Sequence, residues 1–211
     1  MPKETKVPLP TLERLATYFR YLSELASSDV ETISSAHIEE ATGIRAAQFR
    51  KDLSYFGEFG RPGIGYGVRD LLRRIARILK VEKEQPVILI GAGNLGSALV
   101  GYSGLRKYNF NIVAVFDSNP NKIGYKLWDR DIYDIERLKE INESLGVKIA
   151  VVTVPAANAQ NVVDRLVESG IKVILNFAPT TLKVPEGVMV RHVCFIQELT
   201  VLSFFLDSDE V

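Results

Sequence analysis

One cysteine, two histidines and one tryptophan among 211 residues leave several chemistries without their usual side chains. A lone Cys194 forms neither an internal disulfide nor a zinc site, so a reducing, intracellular setting is expected and no metal is. No run of about 18 apolar residues occurs, so no segment is expected to span a membrane. Residues 1–11, MPKETKVPLPT, lack a hydrophobic core segment and a cleavage pattern, so no export signal is expected and a cytoplasmic location follows. Groups that move protons are equally scarce. His37 falls in a helical region and reads as a surface residue. His192 and Cys194 sit at alternate positions beside a strand with no third group to orient a base, which argues against a nucleophile pair.

Excess charge of one sign is also missing, since 26 basic residues meet 26 acidic ones. The balance is uneven along the chain. Residues 1–80 carry net +3, residues 81–211 net −3, and the stretch 44–80 alone net +6. A cationic block beside an acidic remainder is a footprint of polyanion binders, although a solvated face can share it.

What is present begins with helical periodicity. Leu12, Leu15, Phe19, Leu22 and Leu25 recur at three- and four-residue steps. Ser34 or Ser35 can cap a short helix over 35–41, Thr42-Gly43 breaks it, and a third helix is expected over 45–56. Two helices joined by a tight glycine turn make a helix-turn-helix pattern. GEFGRPGIGYGV at 57–68 holds five glycines in twelve positions and suits a small β-hairpin wing at 64–68. A fourth helix over 69–79 turns Leu71, Leu72, Ile75, Ile78 and Leu79 inward and Arg73, Arg74 and Arg77 outward. Those arginines read equally as solvated or as phosphate clamps.

The polar stretch VEKEQP marks a boundary, and the pattern beyond it alternates strand and helix. Strands are expected at 87–90, 111–116, 148–154, 171–176 and 188–193, helices at 94–107, 134–145, 157–169 and 196–206. The expected class is α/β. An N-terminal winged helix-turn-helix domain (1–83) precedes a Rossmann-like parallel-sheet domain (84–194) and a C-terminal helix (195–211).

The strand PVILI runs into Gly91-Ala92-Gly93-Asn94-Leu95-Gly96, and a helix follows. This is G-x-G-x-x-G in its working context: Gly91 for the turn, Gly93 for pyrophosphate approach, Gly96 for helix–strand packing. The helix N-terminus adds unpaired N–H groups and a positive dipole end. Asp117, 21 residues past Gly96, ends the next strand, where a carboxylate can accept both adenosine ribose hydroxyls and repel a 2′-phosphate. NAD(H) is therefore expected over NADP(H). Only about 115 residues follow the loop, too few for a substrate domain, and no general acid stands out. Binding without turnover is the simpler account.

In a winged helix the third helix enters the major groove. Gln48, Arg50, Lys51 and Ser54 fall on its exposed side, with Arg45 near its start, while Phe49, Leu53 and Phe56 point to the core. Arg61, at the glycine-rich tip, suits a minor groove.

The stretches RLATYFRYL, QFRKDLSYFGEFGRPGIGYGV, GAGNLGSAL, FDSNPNKIG, VTVPAANAQ, ILNFAP and FIQELTVLSFFL together resemble the Rex redox-sensing transcriptional repressors of bacteria over nearly the whole chain. The resemblance implies a homodimer with an exchanged C-terminal helix. It also implies binding to palindromic operators when NADH is low, and release when NADH rises. It assigns operator reading to Arg50 and Lys51, and the wing arginine to Arg61 in an Arg-Pro-Gly order where Arg-Gly is commoner. It assigns the cofactor NADH or NAD⁺ to Gly91, Gly93, Gly96, Asp117, Val154, Pro155 and an inserted Phe195, and the domain switch to Arg20 and Tyr102. Many members carry Asp just before that Phe. This chain has Cys194, so the resemblance brings no ion pair from there to Arg20. An apolar lining of Val154, Pro155 and Phe195 is expected to favour the neutral NADH ring over the NAD⁺ cation. Two other readings stand beside this one: a small NAD-dependent oxidoreductase with an appended basic helical domain, and a CoA-binding module, since a Rossmann loop plus FDSNPNKIG also occurs there. Neither accounts for the helix-turn-helix and wing.

Overall fold

The computed structural model describes residues 7–60 and 63–206. The chain divides into two compact units, residues 1–84 and 85–211.

The first unit is built from α1 (Leu9–Leu25), β1 (Thr32–Ile33), α2 (Ser35–Thr42), α3 (Ala46–Ser54), β2 (Tyr66–Gly67) and α4 (Val68–Ile78). Its apolar stripes meet in one cluster. Leu15, Tyr18 and Leu22 of α1 pack with Ile38 of α2, Phe49 and Leu53 of α3, and Leu71 and Ile75 of α4. The Phe49 ring stands edge-on to Tyr18 at 4.9 Å and to Tyr66 at 5.2 Å, geometries that add to simple burial. Ser34 and His37 form a reciprocal capping box at the start of α2, so His37 serves the helix start. Gly43 ends α2 with φ +70°, which makes the tight turn into α3 possible. Of the expected wing at 64–68, the structure describes the strand Tyr66–Gly67, and residues 61 and 62 lie outside the described residues. Tyr66–Gly67 pairs antiparallel with Thr32–Ile33, ahead of α2. Ile33, buried in the core, and Tyr66, packed against it, anchor this pair.

The second unit follows with β3 (Gln85–Ile90), α5 (Asn94–Gly101), α6 (Gly104–Lys107), β4 (Phe110–Asp117), β5 (Lys126–Leu127), β6 (Arg130–Asp134), α7 (Leu138–Leu145), β7 (Ile149–Val152), α8 (Ala156–Glu168), β8 (Val173–Asn176), β9 (Met189–His192) and α9 (Phe195–Ser203). The sheet order is β5-β6-β4-β3-β7-β8-β9, parallel throughout except for the β5–β6 edge. Chain order reverses about β3, so β3 and β7 flank the switch point where such sheets bind ligands. The run Val87–Ile90 is wholly apolar because the sheet is covered on both faces. Ile88 and Ile90 enter one cluster, Val87 and Leu89 the other.

The structure corrects several expected elements. The helix expected over 94–107 breaks at Tyr102, whose backbone is extended. The segment assigned to the start of a helix at 134 belongs to β6 and a 3-10 turn at Ile135–Arg137. Helix α3 is shorter at both ends than 45–56, and α9 stops at Ser203.

Candidate functional site

The C-terminal ends of β3, β4 and β7 open into a cleft of about 780 Å³. Gly91, with φ +105°, turns the chain out of β3. A Cβ there would lie 2.9 Å from the Thr153 carbonyl oxygen. At Gly96 an added Cβ would collide with the Gly91 carbonyl oxygen, so α5 crosses β3 too closely for any side chain. Gly93 is different. A Cβ at this position meets nothing within 4 Å, because the residue faces the open cleft that it lines. The Thr153 hydroxyl ties the loop down, lying 3.0 Å from the Ile90 oxygen and 2.9 Å from the Gly91 oxygen. The result is a glycine cradle at the start of an eight-residue helix, with bare backbone toward the cavity.

Asp117 ends β4 at the cleft wall. Its Oδ2 accepts from the Ala92 amide at 2.8 Å and from Lys122 Nζ at 3.1 Å, and its Oδ1 accepts from the Asn119 amide at 2.9 Å. Burial pushes this carboxyl up, but the two amides and the Lys122 ammonium outweigh that and hold it below the ordinary carboxylate value. A carboxylate offers about four acceptor positions, and three are in use. One ribose hydroxyl fits as the site stands. Accepting a second requires the partly exposed Lys122 to give way.

Around the rest of the cleft, Leu95, Val154, Pro155 and Phe177 supply apolar lining, and the Glu136–Arg165 pair, 2.7 Å apart, adds a neutral charged rim. The Phe195 ring lies 6.2 Å from that of Phe177 and is 60% exposed; it neighbours the cleft without lining it. Of the remaining expected nucleotide residues, Ala92 holds Asp117, and Asn94 opens α5. The spacing of the glycine loop pointed to none of Lys122, Thr153, Arg165 and Phe177. His192 Nδ1 faces Asn176 at 3.1 Å. These residues fit a dinucleotide: an open glycine for the pyrophosphate, an ionised acid for ribose and an apolar wall for a neutral ring.

In the first unit, α3 shows Arg50, Lys51 and Ser54 to solvent and buries Phe49, Asp52 and Leu53. Arg45 precedes α3 without capping it, and the α3 start is held instead by Glu39, which accepts from the Ala46 amide at 2.9 Å. Arg50 donates to Ser35 Oγ at 2.7 Å, leaving most of its guanidinium free. Among the described residues, the side chains of Arg20, Arg45 and Lys51 have no ion pair or hydrogen bond, so their charges face solvent. Arg61 lies outside the described residues. Three of the four arginines of α4 have partners: Arg73 with Asp70 at 3.6 Å, Arg77 with Glu82 at 3.3 Å, and Arg74 3.8 Å above the Phe59 ring. Tyr102, at the end of α5, is 59% exposed.

Gln48 departs from the expected solvent-facing position. It is half-buried and donates to Asp52 Oδ1 at 2.9 Å. Asp52 is fully buried and accepts two bonds of 2.6 Å from Arg14, one of 3.0 Å from Tyr18 and one of 3.3 Å from Thr11. Burial alone would raise this carboxyl, yet the bonds from Arg14, Gln48 and Tyr18 leave it below its ordinary value. The network clamps α3 to α1. An acid inside an apolar helical face was its sequence signal.

Comparison with known proteins joins the two sites. A family model described as "CoA binding domain" matches residues 82–180, and one described as "Putative DNA-binding protein N-terminus" matches residues 6–54. The redox-sensing transcriptional repressor Rex of Carboxydothermus hydrogenoformans is 46% identical, over 98% of this chain and 100% of its own length. That of Pelotomaculum thermopropionicum is 44% identical, over 99% and 98%. The crystal structure of RSP in complex with β-NAD⁺ and operator DNA superposes with a TM-score of 0.91 at 40% identity, covering 98% of this chain and 95% of that one. RSP in complex with β-NADH gives 0.86 at 38% identity, with 98% and 97% covered. The relatives are named as repressors and favour a regulator over an oxidoreductase. On identity, coverage and both halves of the fold, the chain belongs to the Rex family of redox-sensing transcriptional repressors.

Proposed function

We propose that this chain is a homodimeric, cytoplasmic repressor that binds palindromic operator DNA while NADH is scarce and lets go when NADH rises. The observation that carries the reading is the pairing, in one chain, of a cationic reading helix with an open glycine cradle beside Asp117.

Gly91, Ala92, Gly93, Asn94, Leu95 and Gly96 would hold the pyrophosphate through backbone N–H groups and the α5 dipole. Asp117 would hold the ribose. The reduced and oxidised rings differ by one positive charge, and an unpaired cation is costly in an apolar wall. Val154, Pro155 and Phe177, with a Phe195 brought from the partner subunit, would therefore prefer the neutral ring. Support for a partner comes from α9 and the residues after it. Phe195, Ile196, Leu199, Leu202, Phe205 and Leu206 are all at least 55% exposed, an apolar face too large for a lone soluble subunit. Exchange of this helix between subunits would cover it.

On the DNA side, Arg50 and Lys51 would read base edges in the major groove, with Arg45, Gln48 and Ser54 beside them and Arg61 in the minor groove. Half-sites would lie one helical turn apart, or a multiple. Arg20 and Tyr102 would take part in the switch between the two states. By linkage, NADH that weakens operator binding is weakened by operator to the same factor.

A mobility-shift assay on a palindromic operator duplex at one stated salt concentration tests the reading, with arms containing NADH, NAD⁺, CoA or no addition. Release by NADH alone is expected. Equal retention in every arm refutes it, and release by CoA alone would favour the CoA-binding reading that the matching family model suggests.

A further inference from the structure

The half-buried glutamine on α3 has a definite orientation. Asp52 is ionised and can only accept, so the group facing it at 2.9 Å must be the Gln48 amide nitrogen, and the Gln48 carbonyl oxygen Oε1 must point elsewhere. Gln48 makes no other side-chain hydrogen bond among the described residues, and no buried side-chain oxygen or nitrogen there lacks a partner. Oε1 is therefore open to solvent. Gln48 also sits in the first turn of α3, one turn before Asp52 and one residue after Ala47 on the exposed side. The first turn of a recognition helix is the part that reaches base edges.

We propose, resting on the operator reading above, that Gln48 reads one adenine of each half-site and that Asp52 is the positioning residue that presents it. Oε1 accepts from the adenine N6 amino group, and one amide proton donates to N7, the paired contact that glutamine makes with adenine. The other amide proton, trans to the carbonyl, is the one Asp52 holds. Asp52 can do this because it is itself immobile. Arg14 grips both of its oxygens, and Tyr18 and Thr11 donate from the same helix, α1. A free glutamine flips its amide and offers donor and acceptor in either order. A glutamine facing a fixed carboxylate offers one order only. The cost of ordering the long side chain is met before DNA arrives, as preorganisation requires.

The test is selection of bound sequences from a library of randomised duplexes, using the full chain without NADH at one salt concentration. Wild type is compared with Gln48→Ala and Asp52→Asn. Wild type should enrich a palindrome with an obligatory adenine in each half. Gln48→Ala should keep the rest of that site and lose the adenine preference, a drop in discrimination of roughly 5- to 150-fold at one position. Asp52→Asn should blur the same position more than the others, whereas a purely structural role would weaken all positions together. If Asp52→Asn fails to fold, Arg14→Lys loosens the same carboxylate while keeping a cation, and the same single-position blur is expected. An adenine preference that survives Gln48→Ala overturns the assignment. Discrimination lost in Gln48→Ala but intact in Asp52→Asn and Arg14→Lys overturns the positioning role. A wild-type chain that enriches no sequence overturns the operator reading itself, a different failure from either.

Discussion

Replacing Arg14 with methionine should unfold the first unit well before the second. Asp52 has no solvent exposure, and Arg14 supplies its only cationic partner among the described residues, through two bonds of 2.6 Å. Removing one member of a buried pair costs about 3–5 kcal/mol, because the other charge stays behind. The Arg14 side chain keeps 27% of its surface in water, so solvent can reach part of the gap and the low end, about 3 kcal/mol, is expected. For a unit of this size that lowers Tm by roughly 12–24 °C. The effect must depend on pH in one direction. In the folded wild type the Asp52 carboxyl lies below its unfolded value, so its stabilisation is present above the unfolded value and is lost as pH falls through the folded one. In Arg14→Met, burial is offset only by the bonds from Gln48 and Tyr18 and the carboxyl rises, so the variant carries an ionised, poorly paired acid at neutral pH and a neutral one in acid. The gap between wild type and variant should be wide at pH 7 and narrow near pH 4. Calorimetry of the full chain at both pH values measures it. A gap under about 1 kcal/mol at pH 7, or one that stays constant with pH, would refute the argument that Arg14 neutralises a buried charge.

The glycine loop separates function from stability. Gly93→Ala adds a methyl where nothing stands within 4 Å, so the fold should be unchanged while NADH affinity, read by fluorescence titration, falls roughly 5- to 150-fold. Gly96→Ala should instead lower Tm, by about 1–3 kcal/mol of stability or more, because its methyl meets the Gly91 carbonyl oxygen. Phe195→Ala should narrow the preference for NADH over NAD⁺; titrating both nucleotides tests this, and an unchanged ratio removes the aromatic wall as discriminator. Lys51→Ala should weaken operator binding; a phosphate contact would show as a salt slope reduced by about one with selectivity intact, a base contact as relaxed selectivity at one position.

Features set by local covalent need were legible in the sequence. Gly91, Gly93 and Gly96 follow a strand and open a helix because turn, approach and packing each demand a missing side chain, and Asp117 ends the next strand at the expected spacing. Features set by long-range pairing were not. Strand β1 is two residues long, and it pairs with β2 across 33 and 35 positions of the chain, so no local pattern announces it. The β5–β6 edge reads KLWDRDIYD, where Ile132 alone is buried and charges mask the period of two. Tyr102 interrupts a helix whose apolar pattern resumes at Leu105. Gln48 looked solvent-facing by helical angle. Its inward turn depends on Asp52, and Asp52 depends on Arg14 from another helix.

If α9 is exchanged between subunits as proposed, completing the fold takes two copies of the chain. In the proposed dimer a newly made subunit would display Phe195, Ile196, Leu199 and Leu202 to the surrounding fluid until a second copy covers them. Its lifetime before that meeting would be set by proteases and by how many copies are nearby. Repressor supply would then rise more steeply than synthesis, and a copy cut short before residue 195 would have no tail of its own to give its neighbour.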